Sequence, residues 1–552
     1  AMFDANSLAN RLPTLTWLLL VTWLGIVAFP LGFVVFRRLR DRGYVLSKTL
    51  GLLLLGYLAW LLPSLKLAPF TRGTILAMLG VLTLAGAAIA WVQRRAIAAY
   101  VRARWRLLLT NELLFLAFFA LFWLIRWGNP DLWHPGMGGE KPMDLAYLNA
   151  IIKSSYFPPY DPWFAGGYIN YYYYGLVNVA TLTKATGILP EVAYNLAIPT
   201  LFALTAMGAC SVTFNLVRPR ANDAADEAGW WPRALRYGVV GALLVAVAGN
   251  LGEVRLLWGG FEALGGDVAL NTTIPGLAAL VRVLKGVGAF LKGAKLPFRP
   301  EWWYWNASRV MGAGEINEFP FFTFLYADLH AHLTALPFTT LVLGLATGLV
   351  ARPVAHLARL ARDWRTPGSA EGESWRARLA RWWQARDWAL AAQVALLGLA
   401  VGELWCNNSW DLPTYLLVAV GALGCHVYAR WSEAQGRMSW QTALTRWLLL
   451  SLAVTALSVA FFYPFHAHFG SAYTSVERWK SIQTEGGDFV VIYGLLLFVL
   501  SSYLLALTFG AGARGAVARA IRTHVGRLTR WPRTRRLYAG LVRRQSLSYG
   551  LA

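Results

Sequence analysis

Long apolar runs of Leu, Ala, Val and Phe recur along the chain, without strict alternation, at roughly 14–36, 49–68, 73–92, 108–127, 192–217, 236–257, 333–350, 388–405, 412–429, 444–463 and 488–510. Each is close to the ~20 residues that a helix needs to cross a bilayer. Hydrocarbon offers the backbone no hydrogen-bond partner, so such runs must form helices or a closed barrel, and the lack of period-two alternation selects helices. The pattern predicts an all-α polytopic membrane protein with about eleven transmembrane helices.

The polar stretches between the runs differ in character. Arg37, Arg38, Arg40, Arg42 and Lys48 follow the first run, Arg94, Arg95, Arg102, Arg104 and Arg106 the third, and further arginines follow the fifth, seventh, ninth and eleventh. All of these fall on one side, which the positive-inside rule makes cytoplasmic. The N-terminus is then outside the cell membrane and the C-terminus inside, and segments 128–191, 258–332, 406–411 and 464–487 face outward. This divides the chain into a three-span segment (1–107), a transmembrane core with its outer loops (108–510) and a basic cytoplasmic tail (511–552). AMFDANSLANRLP lacks a basic n-region, so the first run is expected to stay as an anchor rather than be cleaved.

Composition agrees: 57% of the 552 residues are hydrophobic and 14% charged, too apolar for a soluble enzyme. The net charge of +23 would suggest nucleic acid in a soluble protein. Here its placement reads as topology, and the tail lacks aromatic interleaving or a recognition motif, so contact with the lipid bilayer and not nucleic acid is expected. Cys210, Cys406 and Cys425 have no CxxC spacing and read as packing residues.

The outer segments carry mixed charge and many aromatics, and they look folded. The segment 274–294 has helical apolar spacing, suited to lying on the membrane interface or packing on a loop domain. The stretch EKPMDLAYLNAIIKSSYFPPYDPWFAGGYINYYYYG (140–175) gathers Glu140, Asp144 and Asp161, Lys141 and Lys153, Trp163 and the run Tyr171, Tyr172, Tyr173 and Tyr174. Glu140 and Asp144 lie on one side near the start of a predicted helix, where they complement its dipole or serve chemistry. The tyrosines offer stacking surface and hydroxyls, though at helical spacing only some can face a cavity. Glu315, Glu318, Asp328, His330 and His332 collect before the seventh run, a set that suits a divalent cation, a network orienting one acid, or an interfacial hydrogen-bonded belt. If that run begins early, Asp328 and His332 share a helix face. Trp302, Trp303, Tyr304 and Trp305 suit interfacial anchoring or sugar stacking. Asp411 reads as a helix cap, and His466, His468, Glu477 and Arg478 form a last outer group.

The order of residues after Glu140 carries a resemblance. An acid just after a span, a Tyr three residues beyond Asp144, and then a Pro/Asp/Gly/aromatic segment resemble the first outer loop of GT-C glycosyltransferases such as protein O-mannosyltransferases, aminoarabinose transferases and oligosaccharyltransferase catalytic subunits. FPPYDPWFAGGYINYYYYG resembles more closely a family of bacterial and archaeal polytopic membrane proteins named for its YYY motif. The GT-C resemblance implies a GT-C-like fold and an inverting transferase that moves a sugar from a polyprenyl-phosphate carrier to an acceptor on the outer face. It implies Asp144 as general base or ligand of a catalytic divalent cation, with Glu140 second and Asp161 supporting. Lys141, Lys153, Arg309 and Arg478 are then the cations for the phosphate. The chain departs from well-known members in having no tight DxD or Asp-Glu pair, which leaves a Mg, Mn or Zn ion as an option only. A transporter or a non-catalytic scaffold of envelope glycan or lipid biogenesis is the alternative. A transporter predicts midplane ionisable groups and inverted repeats; Asn111, Glu112, Asn195, Asn250, Glu253 and Glu403 lie near span ends, and no repeat is visible.

Overall fold

The computed structural model describes residues 3–134, 139–217, 227–268, 270, 272–299, 301–311, 315–351, 388–434, 438–470, 478, 480 and 483–509. The arginine-rich stretch 352–386, the basic tail 511–552 and Glu477 lie outside the described residues. Among the described residues the chain is helical, with one isolated antiparallel bridge between Tyr160 and Tyr168. The helices are α1 (Leu8–Arg11), α2 (Pro13–Val35), α3 (Ser47–Ser64), α4 (Arg72–Val92), α5 (Arg94–Gly128), α6 (Lys141–Lys153), α7 (Tyr174–Thr186), α8 (Pro190–Leu216), α9 (Glu227–Ala246) and α10 (Gly252–Gly265). They continue with α11 (Leu277–Leu291), α12 (Trp302–Trp305), α13 (Pro320–Tyr326), α14 (Ala331–Val350), α15 (Trp388–Asn407), α16 (Asp411–Glu433), α17 (Trp440–Phe461), α18 (Tyr463–His466) and α19 (Gly486–Phe509).

Nine described helices, α2, α4, α5, α8, α14, α15, α16, α17 and α19, are long and apolar enough to cross a membrane by length and composition. The polytopic all-α reading therefore holds. The other two predicted runs are helical as well, but both carry charge. In α3, Lys48 is buried and pairs with Glu112 of α5 at 2.5 Å. In α9, Arg233 and Arg236 interrupt the apolar face, and the predicted run 236–257 breaks after Ala246. Asn250 explains the break, since its side chain accepts from Gly252 N at 2.8 Å and donates to the Ala307 carbonyl. The predicted span 108–127 is the apolar half of α5, whose 35 residues reach back through RRAIAAYVRARWR. Ala and Arg propagate a helix well, so the basic segment continues it instead of turning.

The chain divides into two compact units. The first gathers residues 1–248 and 320–478, and its centre is α7. At 13 residues α7 is too short to cross a bilayer, yet every one of its residues is buried, among them Asn178, Thr181, Thr183 and Lys184. Around it α2 and α3 approach closely, because a Cβ at Gly51 would overlap the Leu24 carbonyl. Cys210 and Cys406 are buried in this core, as packing residues should be, and Cys425 is exposed.

The second unit gathers residues 249–319 and those from 479 onward. Here α10 and α11 form a helical hairpin, tied by the Arg282 Nε to Glu262 Oε1 contact of 3.0 Å. The amphipathic 274–294 segment thus packs on its own unit, while Leu280, Leu284 and Leu291 stay exposed on α11. The start of α10 is joined to α19 by Leu251 N donating to the Val491 carbonyl at 2.8 Å.

Candidate functional site

The first unit holds a cluster of ionisable side chains at the end of the bundle where α5 finishes and α14 begins. The sequence places Lys-Pro at the first positions of α6, where a proline's missing N–H costs nothing, so the helix starts directly after Glu140. That start sets Glu140 at the N-cap and Asp144 in the first turn. The second contribution is the break between α13 and α14. Ala327 there takes a left-handed φ of 64°, and the chain passes Asp328 and His330 before α14 begins at Ala331. Asp328 therefore precedes the helix and does not share a face with His332, which corrects the expectation for an early start of that run.

The two segments interlock. Glu140 N donates to Asp328 Oδ2 at 3.1 Å, Lys141 Nζ lies 3.4 Å from Asp328 Oδ1, and Glu140 Oε2 lies 2.6 Å from His330 Nδ1. On its far side His330 Nε2 is 3.2 Å from the hydroxyl of Tyr171. A carboxylate accepts, so Nδ1 carries the proton toward Glu140, and in the neutral ring Nε2 then accepts from the Tyr171 hydroxyl. Lys141 also sits over the Tyr326 ring, 4.5 Å from its centroid.

Accessibility divides the acids. The Glu140 side chain is 52% exposed, while Asp144 is 2% exposed and its Oδ2 has no hydrogen-bond partner. Burial, and after it the neighbouring Asp328 and Glu140 carboxylates, push the Asp144 carboxyl up to about 8, against the opposing influence of Lys141 and Tyr194. Burial also raises Asp328 and lowers Lys141, each opposed by the other's charge. Burial and then the Glu140 and Asp144 carboxylates raise the Tyr171 phenol. A protonated Asp144 leaves Asp328 to pair with Lys141 and Glu140 to engage His330, so three carboxyls can share one site without three negative charges.

The remaining predicted residues fall in different places. Asp161 accepts from the backbone N–H of Trp163 at 2.8 Å and of Phe164 at 3.1 Å, which fixes the turn of the 160–168 hairpin. Trp163, 63% exposed at that turn, meets Tyr147 edge-on at 5.3 Å, and Tyr147 leads to Tyr171 at 6.1 Å. The tyrosine run splits. Tyr171 reaches His330, the Tyr172 hydroxyl lies 2.6 Å from Ser409 Oγ, and Tyr173 and Tyr174 are buried in the core. Lys153 is exposed at the other end of α6, and Arg478 is exposed. His332 lies beside His330, with ring centroids 5.1 Å apart, and its Nε2 is 3.4 Å from Thr323 Oγ1. Glu318 and Arg309 belong to the second unit. Asp411 stands in the first turn of α16 without a side-chain capping bond, its Oδ2 accepting from Asn408 Nδ2 at 3.1 Å.

Among the described residues no three His, Cys, Asp or Glu side chains converge as metal ligands do. Asp328 takes an N–H and an ammonium group, and both His330 nitrogens face hydrogen-bond partners, so the donor set does not fit a divalent cation. Two residues close to the site went unnoticed in the sequence. Arg126, buried at the end of α5, donates through Nε to Asn195 Oδ1 at 2.8 Å, and Tyr194 accepts from Leu329 N at 2.8 Å within electrostatic reach of Asp144. A lone Arg ending an apolar run was the one available signal.

Fold and site together define a polytopic helical membrane protein with an acid–base cluster at one end of its bundle. The chain belongs to the family described as uncharacterized membrane protein (DUF2298), whose family model matches residues 54–543. Neither a curated protein nor a solved structure matches it.

Proposed function

We propose that the protein is an inverting glycosyltransferase that moves a sugar from a polyprenyl-phosphate carrier to an acceptor hydroxyl on the extracytoplasmic face of the cell membrane. The observation that carries this reading is the meeting of Glu140 and His330, brought from separate loops to 2.6 Å at an exposed edge. The donor class comes from the resemblance of the Glu140–Gly175 loop to GT-C enzymes.

In this mechanism the acceptor oxygen attacks the anomeric carbon, the bond from that carbon to the phosphate oxygen breaks, and the phosphate leaves with the electron pair. The acceptor proton passes to Glu140, the carboxylate that a substrate can reach. His330 orients that carboxylate through Nδ1–H, and Tyr171 fixes the His330 tautomer from behind. Asp144, protonated near neutral pH, is a positioning residue that limits the negative charge beside Glu140. Lys141 is committed to Asp328, so we assign the leaving phosphate to Arg478, exposed in the same unit. The exposed Trp163–Tyr147 edge offers a sugar ring a stacking surface.

The test is reconstitution of the full chain in nanodiscs with a panel of polyprenyl-phosphate hexoses and an extract of envelope acceptors, measuring release of polyprenyl phosphate. Release by the wild type and its loss in Glu140→Gln support the reading. Release unaffected by Glu140→Gln overturns the assignment of the base.

A second reading, an ion- or proton-coupled carrier, is favoured by Glu403. It is fully buried inside a candidate span, and its Oε2 has no partner. An ionisable group in that position is a functional candidate by default. Solute flux into proteoliposomes that Glu403→Gln abolishes would favour this reading over the first.

A further inference from the structure

The second unit contains a cavity of about 540 Å³ that the acid–base cluster does not use. One wall is α10, where Phe298 packs on Gly260 but Gly259 leaves the flank open; a Cβ at Gly259 would meet nothing within 4 Å. Facing it are Phe298 and Trp302, and Arg255 and Arg309 also line the space. The volume suits a small-molecule ligand.

Both guanidinium groups are held in place. Arg255 Nη1 lies 3.1 Å from Asp488 Oδ1, and its Nη2 donates to the Val310 carbonyl at 3.1 Å. These contacts engage two of the five N–H donors that a guanidinium carries. Arg309 Nη1 donates to Ser308 Oγ at 2.7 Å, and its guanidinium stacks over Trp305 at 4.5 Å. Planar guanidinium forks match phosphate oxygens in pairs, better than any other side chain.

The height of the cavity follows from α19. Asp488, the partner of Arg255, is the third residue of that helix, and Leu251 at the head of α10 bonds to Val491 one turn further on. The span within α19 is Gly486–Ala506, and none of its most apolar window is buried against protein. A helix of that kind stands in lipid, so its first turn marks the boundary between hydrocarbon and water. Arg255 is tied to that turn and therefore sits at headgroup level. The exposed Leu280, Leu284 and Leu291 of α11 are the apolar surface that the same boundary requires.

We propose that this cavity binds the phosphate headgroup of a membrane lipid, with Arg255 and Arg309 holding the phosphate and the glycine-bared flank of α10 receiving the first part of the lipid's apolar body. The site takes phospholipid and polyprenyl phosphates by shared chemistry, and it stands independently of the transferase reading.

Native mass spectrometry of the detergent-solubilised full chain, loaded with phosphatidylglycerol, tests it. Wild type should retain the lipid against millimolar inorganic phosphate, and Arg255→Gln/Arg309→Gln should retain about tenfold less, the loss of two guanidinium–phosphate contacts. Gly259→Leu fills the cavity from an open helix face without disturbing a packed neighbour, so it should lose the lipid with its fold intact. Lys292→Gln, which removes an exposed cation of the same unit outside the cavity, should retain it. Equal retention by wild type, the arginine double variant and Gly259→Leu overturns the proposal. Displacement of the lipid by inorganic phosphate also overturns it, since the cavity would then be a site for the free anion.

Discussion

Glu140 Oε2 stands 2.6 Å from His330 Nδ1, although one residue precedes α7 and α8 in the chain and the other follows them. The same pair is braced by Glu140 N on Asp328 and by Tyr171 on the far nitrogen of His330. If Glu140 accepts the acceptor proton and His330 orients it, the two act as a unit. Glu140→Gln and His330→Ala should each lower kcat by about 10²-fold or more, with the double variant hardly worse than either alone. The measurement is a double-mutant cycle on polyprenyl phosphate release. Fully additive losses would show that the two residues act separately.

Asp144 gives a pH signature in stability. In an unfolded chain an Asp loses its proton near pH 4, whereas in the fold Asp144 holds it up to about 8. Between those values the folded state binds more protons than the unfolded state, so stability falls as pH rises. Asp144→Asn carries no charge at any pH and escapes this loss. Its melting temperature should match that of the wild type near pH 4 and exceed it increasingly toward pH 8, both proteins being scanned in the same detergent. Parallel curves across that range would mean that Asp144 titrates as an ordinary carboxylate.

How far the sequence could have anticipated this site is clear from particular residues. The spans were legible because bilayer thickness imposes one length on every apolar run, and nine described helices keep it. Glu140, Asp144, Asp328 and His330 were legible as polar groups in aromatic-rich loops, where neither lipid nor a plain linker needs them. Their contact was not, because it depends on α14 starting at Ala331 and on Ala327 turning left-handed, details of a single residue that hydropathy does not encode. Asp161 looked equivalent to the other acids in composition. Only the turn of the 160–168 hairpin shows its carboxylate given over to two backbone N–H groups. Asn250 likewise could not be recognised as the residue that holds α9 and α10 apart within the run 236–257.

Glu403 anchors a buried chain of hydrogen bonds. Its Oε1 accepts from Asn407 Nδ2 at 2.9 Å, and Asn407 Oδ1 accepts from Thr334 Oγ1 at 2.6 Å, which joins α15 to α14 beside Gly175 of α7. Glu403→Gln keeps an acceptor of the same size in the same place and should change stability by less than about 1 kcal/mol. Glu403→Ala strands the Asn407 donor and opens a void, and should cost about 3–5 kcal/mol. Thermal unfolding of the two variants in one detergent provides the comparison. Equal effects would mean that the chain of hydrogen bonds does not hold these helices together.

Trp163 and Asp161 separate binding from chemistry. The Trp163 ring is exposed at the turn that Asp161 ties, and it begins the aromatic series through Tyr147 to Tyr171. Stacking of a sugar on that ring contributes equally to the ground and transition states, so Trp163→Ala should raise KM several-fold and leave kcat nearly unchanged. Asp161→Asn keeps a side-chain oxygen for the two N–H groups and should behave as wild type, whereas Asp161→Ala loosens the turn and should copy the KM effect of Trp163→Ala. Steady-state kinetics on the four proteins decide the matter. A collapse of kcat in Asp161→Asn would place that carboxylate in the chemical step and remove it from the role of a turn residue.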